Sequence, residues 1–356
     1  MAATETPAIA SGQSVRDDGL WRRVDELIDR APDLAGVREH RLGLLAARRW
    51  RALGRLVPRD VVEEERAAAA RTMTVPILLR TIRKTAGGPI VLFKGPEVAT
   101  RYPESTLRPY GDLDLLVPDP VAVHRRLLRA GFKEVGDPDR FVDIHHLRPL
   151  QLEPLPLLVE VHSAPKWIDG RGPAAARALL GAAVPSSLEI DGILTLRPDH
   201  HAVVLAVHSW AHEPLGRLLD LIDIAAMTRD VDHDAARAFA AEWGVDRLWR
   251  TMLAATDAVL GERAQPAPLP LRLWARSVGT VRRRTVLESH LERWLADFWA
   301  LPPRAALRAA AVAAARALVR APGETWRDKL RRVALAVKNA SMARSDHDRA
   351  LAGRKR

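Results

Sequence analysis

Apolar residues recur at helical intervals through the first part of the chain and again through its long C-terminal part. Between residues 18 and 86 they space one face of successive helices, as in VVEEERAAAARTMTVPILLRTI, and the run ends at Gly87-Gly88-Pro89. From Asp199 onward, segments such as HHAVVLAVHSWAH and LGRLLDLIDIAAMTRD repeat the same spacing. The pattern therefore predicts two helical regions, one on each side of residues 90–163.

Residues 90–163 carry short β-rich runs in place of long helical ones. We predict strands at IVLF (90–93), DLDLLV (112–117), FVDIHHL (141–147) and LLVEVHS (157–163), with short helices at 96–102 and 121–131. This order predicts an α+β (α/β) fold, in which a small mixed β-sheet is flanked by an N-terminal helical segment and a larger C-terminal helical region.

These changes of pattern divide the chain into five predicted parts. The alanine-rich run 305–319 carries Arg308 and Arg316, so it predicts a helix of a soluble protein and no membrane insertion. The parts are a disordered N-terminus (1–17), an N-terminal helical segment (18–88), a core with the sheet (89–165), a C-terminal helical domain (166–340) and a basic tail (341–356).

Composition narrows the classes of chemistry. The chain has no cysteine, which excludes disulfides, thiolate zinc sites and a cysteine nucleophile. No secretory signal pattern opens it, and we expect a cytoplasmic protein.

Residues 320–356 hold eleven Lys and Arg against four Asp and Glu, a net +7 of the total +11. This basic end predicts contact with an anionic partner; the alternative is a solvated helical face.

Two aspartates open the run DLDLLV, where a strand built only for a core would be apolar. Because alternate residues of a strand project to one side, Asp112 and Asp114 face the same way. Glu160 lies inside LVEVH, and a buried carboxylate needs a cation or a donor beside it. Mg²⁺ takes oxygen ligands, often carboxylates together with substrate phosphates. The three residues are candidate metal ligands; the alternatives are a solvated turn for the aspartates and a salt bridge to an arginine for Glu160.

A second candidate feature is Lys94-Gly95, which ends one predicted strand and opens a helix. A glycine there lets backbone N–H groups approach a phosphate, and Lys94 adds a positive charge. Arg108 lies four residues before Asp112, near enough to reach a phosphate or to pair with an acidic neighbour. For Lys94 the alternative is the cap of a strand.

Taken together, these motifs resemble the nucleotidyltransferase superfamily related to DNA polymerase β, and in particular a group of poorly characterised bacterial nucleotidyltransferases. The signature of that group runs L-K-G, a short helix, a Tyr-Pro pair and L-R-P-x-G-D-x-D-L-L-V. The chain matches it with LFKG (92–95), RYPESTLRPYGDLDLLV (101–117), a His-His pair (145–146), VEVH (159–162) and, weakly, LAVHSWAHEPLGRLLDLIDI (205–224).

The resemblance implies a nucleotidyltransferase core that moves a nucleoside monophosphate from an NTP to a hydroxyl acceptor and releases pyrophosphate. Asp112, Asp114 and Glu160 would be catalytic and would hold two Mg²⁺ ions, and Glu160 would also assist deprotonation of the acceptor. ATP is the expected nucleotide, whereas the acceptor is open: a small molecule, a sugar, a peptide or a nucleic acid end. The residues that would contact the nucleotide are Lys94, Gly95, Arg108 and Gly111.

The chain departs from the wider superfamily at one position. Pro96 follows Gly95, where many members have a serine whose hydroxyl touches a phosphate. This departure and the basic tail support an alternative function, that of a catalytically weak or inactive member that binds a nucleotide, RNA or a partner protein. Phosphoryl transfer, with ADP as the product, is a third possibility.

Four histidines are possible substrate-side residues: His146, His162, His208 and His212. On a strand over 141–147, His145 and His146 would face opposite ways and could not bind one ion together. His162 shares a face with Glu160, so it could orient that carboxylate or reach a metal. His208 and His212 share a helix face but lack the glutamate of a metalloprotease motif, which favours a structural or substrate-side role.

Overall fold

A computed structural model of the chain shows a mixed α and β architecture, as the sequence predicts. The predicted disordered N-terminus (1–17) and residues 345–356 of the predicted basic tail lie outside the residues that it describes. The described residues are 19–141, 145–168, 176–229, 231–261, 268–320 and 325–344.

Helices precede the sheet, as the apolar spacing predicts. The last of them ends at Gly87, whose φ of +68° is a left-handed conformation that glycine adopts without a steric penalty. The predicted stop is therefore confirmed. These helices are α1 (Gly19–Asp29), α2 (Leu34–Glu39), α3 (Gly43–Ala52) and α4 (Arg59–Ala86).

A seven-stranded sheet forms the middle of the described part of the chain. Its strands are β1 (Ile90–Leu92), β2 (Asp112–Leu116), β3 (Lys133–Glu134), β4 (Leu150–Gln151), β5 (Leu158–His162), β6 (Val184–Pro185) and β7 (Ile193–Thr195). They lie in the order β3-β4-β5-β2-β1-β7-β6. The pairs β2–β5 and β1–β7 are parallel and the other pairs are antiparallel, so the sheet is mixed, as predicted.

Two parts of the sheet differ from the prediction. The described residues of the range 141–147 form no strand: Phe141 ends a 3-10 turn, and His146 makes only an isolated bridge to His162. Residues 142–144 lie outside the described residues. Strands β6 and β7, which the sequence did not predict, follow residue 165 and extend the sheet into the range expected to be helical.

The remaining helices lie within and after the sheet. The helix expected over 96–102 is shorter, and the one expected over 121–131 forms with its stop at Gly131. They are α5 (Pro96–Ala99), α6 (Pro120–Arg129), α7 (Ala176–Gly181), α8 (Pro198–His212), α9 (Leu218–Met227), α10 (His233–Glu242), α11 (Asp246–Leu260), α12 (Leu269–Val278), α13 (Val286–Ala300), α14 (Pro303–Leu318) and α15 (Trp326–Lys338).

The sheet is buried between two layers of helices. On one face Leu113 and Leu115 pack in an apolar cluster with residues of α4 and α6. On the other face Val91, Phe93 and Leu116 pack in a larger cluster with residues of α1, α8 and α9. Since Asp112 and Asp114 alternate with the first set, they project to the α8 side.

None of the helices within the described ranges is long and apolar enough to cross a membrane. The alanine-rich run 305–319, predicted to be a helix rather than a membrane span, forms α14.

Candidate functional site

Strands β2 and β5 bring the predicted carboxylates together because they are neighbours in parallel register. Asp114 stands opposite Glu160, and Leu116 stands opposite His162. Directly opposed residues of neighbouring strands share a face of the sheet, and so do alternate residues along each strand. The structure therefore places all three predicted acidic residues and His162 on one face.

One group on this face is suited to a metal ion. Single ligand atoms of Asp114, Glu160 and His162 lie within 4.8 Å of one another. Oδ2 of Asp114 and both ring nitrogens of His162 are buried and have no aligned hydrogen bond to any described residue, although Nε2 of His162 is 3.1 Å from Oδ1 of Asp114. Unpaired buried polar atoms disfavour folding, so a ligand is expected here. Two carboxylates and an imidazole fit a divalent cation, and carboxylates are the side chains that Mg²⁺ prefers.

Asp112 lies outside this group of three but adjoins it electrostatically. Burial, together with the negative charges of Asp114 and Glu160, raises the pKa of Asp112 to about 6. A cation bound among the three acidic residues would favour the charged form of Asp112. The geometry thus brings Asp112 to the edge of the predicted metal site.

Lys94 serves as the counter-ion of Asp114. Its Nζ lies 3.1 Å from Oδ1 of Asp114, which is 1% exposed. Burial raises the pKa of Asp114, but Lys94 and the neighbouring His162 lower it by more, so it stays below its ordinary value. Burial lowers the pKa of His162, but Asp114 and Glu160 raise it by more. Contact of Lys94 with a phosphate stays a prediction.

The two predicted glycines meet different constraints. Gly95 has φ +57° and ψ −120°, and a Cβ on it would lie 2.8 Å from the carbonyl oxygen of Asp112. Both the backbone conformation and this close approach require glycine. A Cβ on Gly111 would meet open space, so the fold itself does not require glycine there.

This difference gives a paired test. We expect Gly95→Ala to lower the free energy of unfolding by about 1–3 kcal/mol, because alanine is strained at positive φ and would push the loop off β2. We expect Gly111→Ala to change it by less than about 0.5 kcal/mol. Urea unfolding of both variants measures this, and equal losses would contradict the stated difference. Weaker NTP binding by Gly111→Ala alone would support a nucleotide beside Gly111.

Arg108 is buried and pairs with an aspartate of α9. Its Nε donates to Oδ1 of Asp223 at 2.8 Å, its Nη2 to Oδ2 at 2.7 Å, and its Nη1 to the carbonyl of Gly95 at 3.2 Å. The Tyr102 hydroxyl also donates to Oδ1 of Asp223, at 2.6 Å. The structure thus agrees with the alternative expectation for Arg108, that it pairs with an acidic residue. These hydrogen bonds hold the loop at Lys94 and Gly95 against α9, and contact of Arg108 with a nucleotide stays a prediction.

His145 and His146 both lie against His162, which corrects the expectation that they face opposite ways. Their ring centroids are 4.9 Å apart and lie 5.3 and 5.1 Å from that of His162. The expectation assumed a regular strand, whereas the described residues 145–147 form only the isolated bridge at His146. Nδ1 of His146 lies 2.8 Å from the carbonyl of Leu147 and donates to it, so in the neutral ring Nε2 is an acceptor, 3.7 Å from Glu160.

Helix α8 adds two more imidazoles on the same side. Nε2 of His201 donates to the carbonyl of Phe93 at 2.7 Å, which fixes α8 on the end of β1. His208, seven residues on, shares that helix face; its ring centroid is 4.5 Å from that of His212 and 6.3 Å from that of His145. We call His145, His146, His162, His208 and His212 the histidine cluster.

Burial keeps the α8 part of the histidine cluster neutral. Burial and the nearby Lys94 lower the pKa of His208 well below its usual value, and neither of its ring nitrogens has a hydrogen-bond partner in the described part of the chain. Burial and Lys166 lower the pKa of His212 to about 4, and Nζ of Lys166 lies 3.1 Å from its Nδ1. Neutral imidazoles beside the acidic group can donate or accept hydrogen bonds, which suits contact with a substrate.

Sequence reasoning missed two residues that position the site. They are His201, which holds α8 on the end of β1, and Asp223, which pairs with Arg108. The signal for Asp223 is the apolar helical run LLDLIDI: an aspartate on a buried helix face needs a cation, as Glu160 does in its strand. Nothing in the sequence shows that this cation is Arg108, 115 residues away.

A mixed sheet that presents clustered acidic residues beneath a helical layer is consistent with an α+β nucleotidyltransferase fold. Residues 32–261, more than half of the chain, match a family described as uncharacterised nucleotidyltransferase, and the chain belongs to that family. Asp112, Asp114 and Glu160 all lie inside the matched segment. Comparison with curated proteins gives no match, and comparison with solved structures gives none.

Proposed function

We propose that the chain is a Mg²⁺-dependent nucleotidyltransferase, which moves a nucleoside monophosphate from an NTP, with ATP expected, to a hydroxyl acceptor and releases pyrophosphate. The observation that carries the proposal is the position of Asp114 directly opposite Glu160 on parallel strands, with Asp112 two residues before it. Mg²⁺ ions bound by these carboxylates would stabilise the negative charge on both the attacking oxygen and the leaving oxygen.

In this proposal, Glu160 receives a proton from the acceptor. Its side chain is 19% exposed, so a hydroxyl can reach it, whereas Asp114 is almost fully enclosed. The acceptor proton passes to Glu160, the acceptor oxygen bonds to the α-phosphorus, and the bond from that phosphorus to the pyrophosphate oxygen breaks. Lys94, next to Asp114, supplies positive charge close to these oxygens.

The test is a transfer assay with the purified protein. Each of the four NTPs, labelled at the α-phosphate, is incubated with Mg²⁺ and cell-extract fractions as the source of acceptor, and both labelled product and pyrophosphate are measured. We expect one NTP to give equal amounts of the two, and no transfer with EDTA. Release of ADP in place of pyrophosphate would show phosphoryl transfer and overturn the proposal.

A binding module is the second candidate. It is favoured by Pro96, which offers no hydroxyl to a phosphate, and by the ion pair that already occupies Lys94. In that case NTP or RNA binds without turnover, and the affinity falls steeply as salt is raised, because binding then depends on phosphate contacts. Turnover of any NTP in the assay above decides against it.

A further inference from the structure

Helix α15 exposes a row of large apolar side chains along one face. Successive members are four, three and four residues apart, which is the spacing of a single helix face. Each of them is between 49% and 71% exposed. A contiguous apolar surface of this kind marks a site of interaction, whereas scattered exposed residues do not. We call this row the α15 stripe: Trp326, Leu330, Val333 and Val337.

Basic side chains lie directly beside the α15 stripe. Arg327, Arg331 and Lys338 are exposed, and each follows a residue of the stripe by one position, about 100° further around the helix. We call these three residues the basic flank. Over its whole length α15 holds five Lys and Arg against one Asp, a net +4. A helix with an apolar face and a basic face is typical of binding to a membrane surface.

Contacts near both ends hold α15 on the rest of the protein. Near its start, Lys329 is buried and donates from Nζ to the carbonyl of Val319 at 2.6 Å. The same Nζ lies 5.4 Å from the centroid of the Trp326 ring. Just beyond its end, the N–H of Leu287 in α13 donates to the carbonyl of Ala340 at 3.0 Å. These contacts set which side of α15 meets the protein, and the α15 stripe lies on an open side.

Helix α13 exposes a similar apolar row but carries the opposite charge. It holds three acidic residues against one arginine, a net −2. An anionic surface would attract α15 and repel α13, although both present apolar side chains to solvent. Charge therefore distinguishes the two rows. The exposed row of α13 is Leu287, Leu291, Trp294, Leu295 and Phe298.

Other occupants fit α15 less well than an anionic lipid surface does. A second copy of the chain would bring two helices of net +4 together, which like charges oppose. A nucleic acid would pair its phosphates with the basic flank and leave the α15 stripe in water. The twelve residues after Arg344 contain one large apolar residue, Leu351, too few to cover four. Lipid headgroups and acyl chains together meet both the basic flank and the stripe.

We propose that α15 docks the protein on a membrane surface rich in anionic lipid, and that it lies in the plane of the interface without crossing the bilayer. The α15 stripe enters the boundary between headgroups and acyl chains, and the basic flank contacts the headgroup phosphates. The indole of Trp326, with an apolar body and one N–H donor, suits that boundary. The inference is independent of nucleotide transfer, and α15 follows the segment 32–261 that matches the family.

The test is flotation of the purified protein with vesicles of equal parts phosphatidylglycerol and phosphatidylcholine. We expect binding to them and roughly 100-fold weaker binding when Arg327, Arg331 and Lys338 are all replaced by Gln, because each basic residue near an anionic surface adds about fivefold. Vesicles of phosphatidylcholine alone should bind the wild type equally weakly. Leu330→Gln with Val337→Gln keeps the charge and should weaken binding about 10-fold or more, since apolar burial is lost.

These replacements are at exposed positions, so the fold is expected to be kept, which circular dichroism checks. Trp294→Ala is the matched control for Trp326→Ala. The two tryptophans are 49% and 55% exposed and belong to similar apolar rows on helices of opposite charge. We expect Trp326→Ala to weaken vesicle binding and Trp294→Ala to leave it unchanged. Equal losses would overturn the assignment to α15, as would a wild type that does not bind the anionic vesicles.

Two further results would overturn the inference by identifying another occupant. Dimers that form without lipid, and that are lost in Leu330→Gln with Val337→Gln, would assign the α15 stripe to a second copy of the chain. Binding of single-stranded RNA that needs the basic flank, without binding to vesicles, would make α15 a nucleic-acid surface. Asp112→Asn should bind the anionic vesicles as the wild type does, so a failure of the proposed transfer leaves this inference standing.

Discussion

Replacing Asp112 and Asp114 together by asparagine is expected to lower the rate of nucleotide transfer by about 1,000-fold or more, because metal-assisted charge stabilisation contributes several kcal/mol to such a reaction. Asparagine keeps the shape of each side chain and removes the charge that would hold a cation. Transfer of label from an α-labelled NTP measures the rate, and circular dichroism shows whether the fold is retained.

The two aspartates are expected to have opposite effects on stability, which separates loss of the site from loss of the fold. The pKa of Asp112 is raised from 3.8 to about 6, so its burial costs stability as pH rises through that interval. We expect Asp112→Asn to keep or raise the free energy of unfolding at pH 7. The pKa of Asp114 is lowered, and Asp114→Asn would leave Lys94 and His162 without their counter-charge, so it should be less stable.

Asp112→Asn alone is therefore the decisive variant, because activity lost while the free energy of unfolding is kept or raised does not come from unfolding. Asp191→Asn is its control: Asp191 is exposed and lies between β6 and β7, and its replacement should change neither activity nor stability. Full transfer activity in the double variant would exclude these carboxylates as the metal site.

The strands that were predicted are the ones with a pattern of their own. Strands β1, β2 and β5 are short apolar or alternating runs beside turn residues, and each can be predicted from its own residues. Strands β3, β4 and β6 have two residues each, too few for any period to show, and β7 has three. Their existence depends on the neighbour that they pair with, which is decided by tertiary structure.

The acidic residues of the site could be predicted for a related reason. A carboxylate inside an apolar run is unfavourable when buried, unless a cation or a hydrogen-bond donor lies beside it. The histidine cluster was predicted less accurately. The opposite orientation of His145 and His146 was inferred from a regular strand, which the described residues 145–147 do not form.

Replacing Asp223 by alanine is expected to lower the free energy of unfolding by about 3–5 kcal/mol, the cost of leaving a buried charge without its partner. Arg108 and Asp223 are 7% and 2% exposed, and the Tyr102 hydroxyl would lose its acceptor as well. Urea unfolding measures the loss. A loss below about 1 kcal/mol would give this pair no more weight than a surface salt bridge.

Arg108→Met combined with Asp223→Leu separates stability from positioning. Apolar side chains of similar size leave no unpaired charge, so we expect most of the stability to return. The carbonyl of Gly95 would still lack its donor from Arg108, and the loop that carries Lys94 to Asp114 would be held less firmly. Nucleotide transfer should therefore stay low in the stable double variant. Recovery of both properties would show that the ion pair contributes to the fold alone, and that Lys94 is positioned without Arg108.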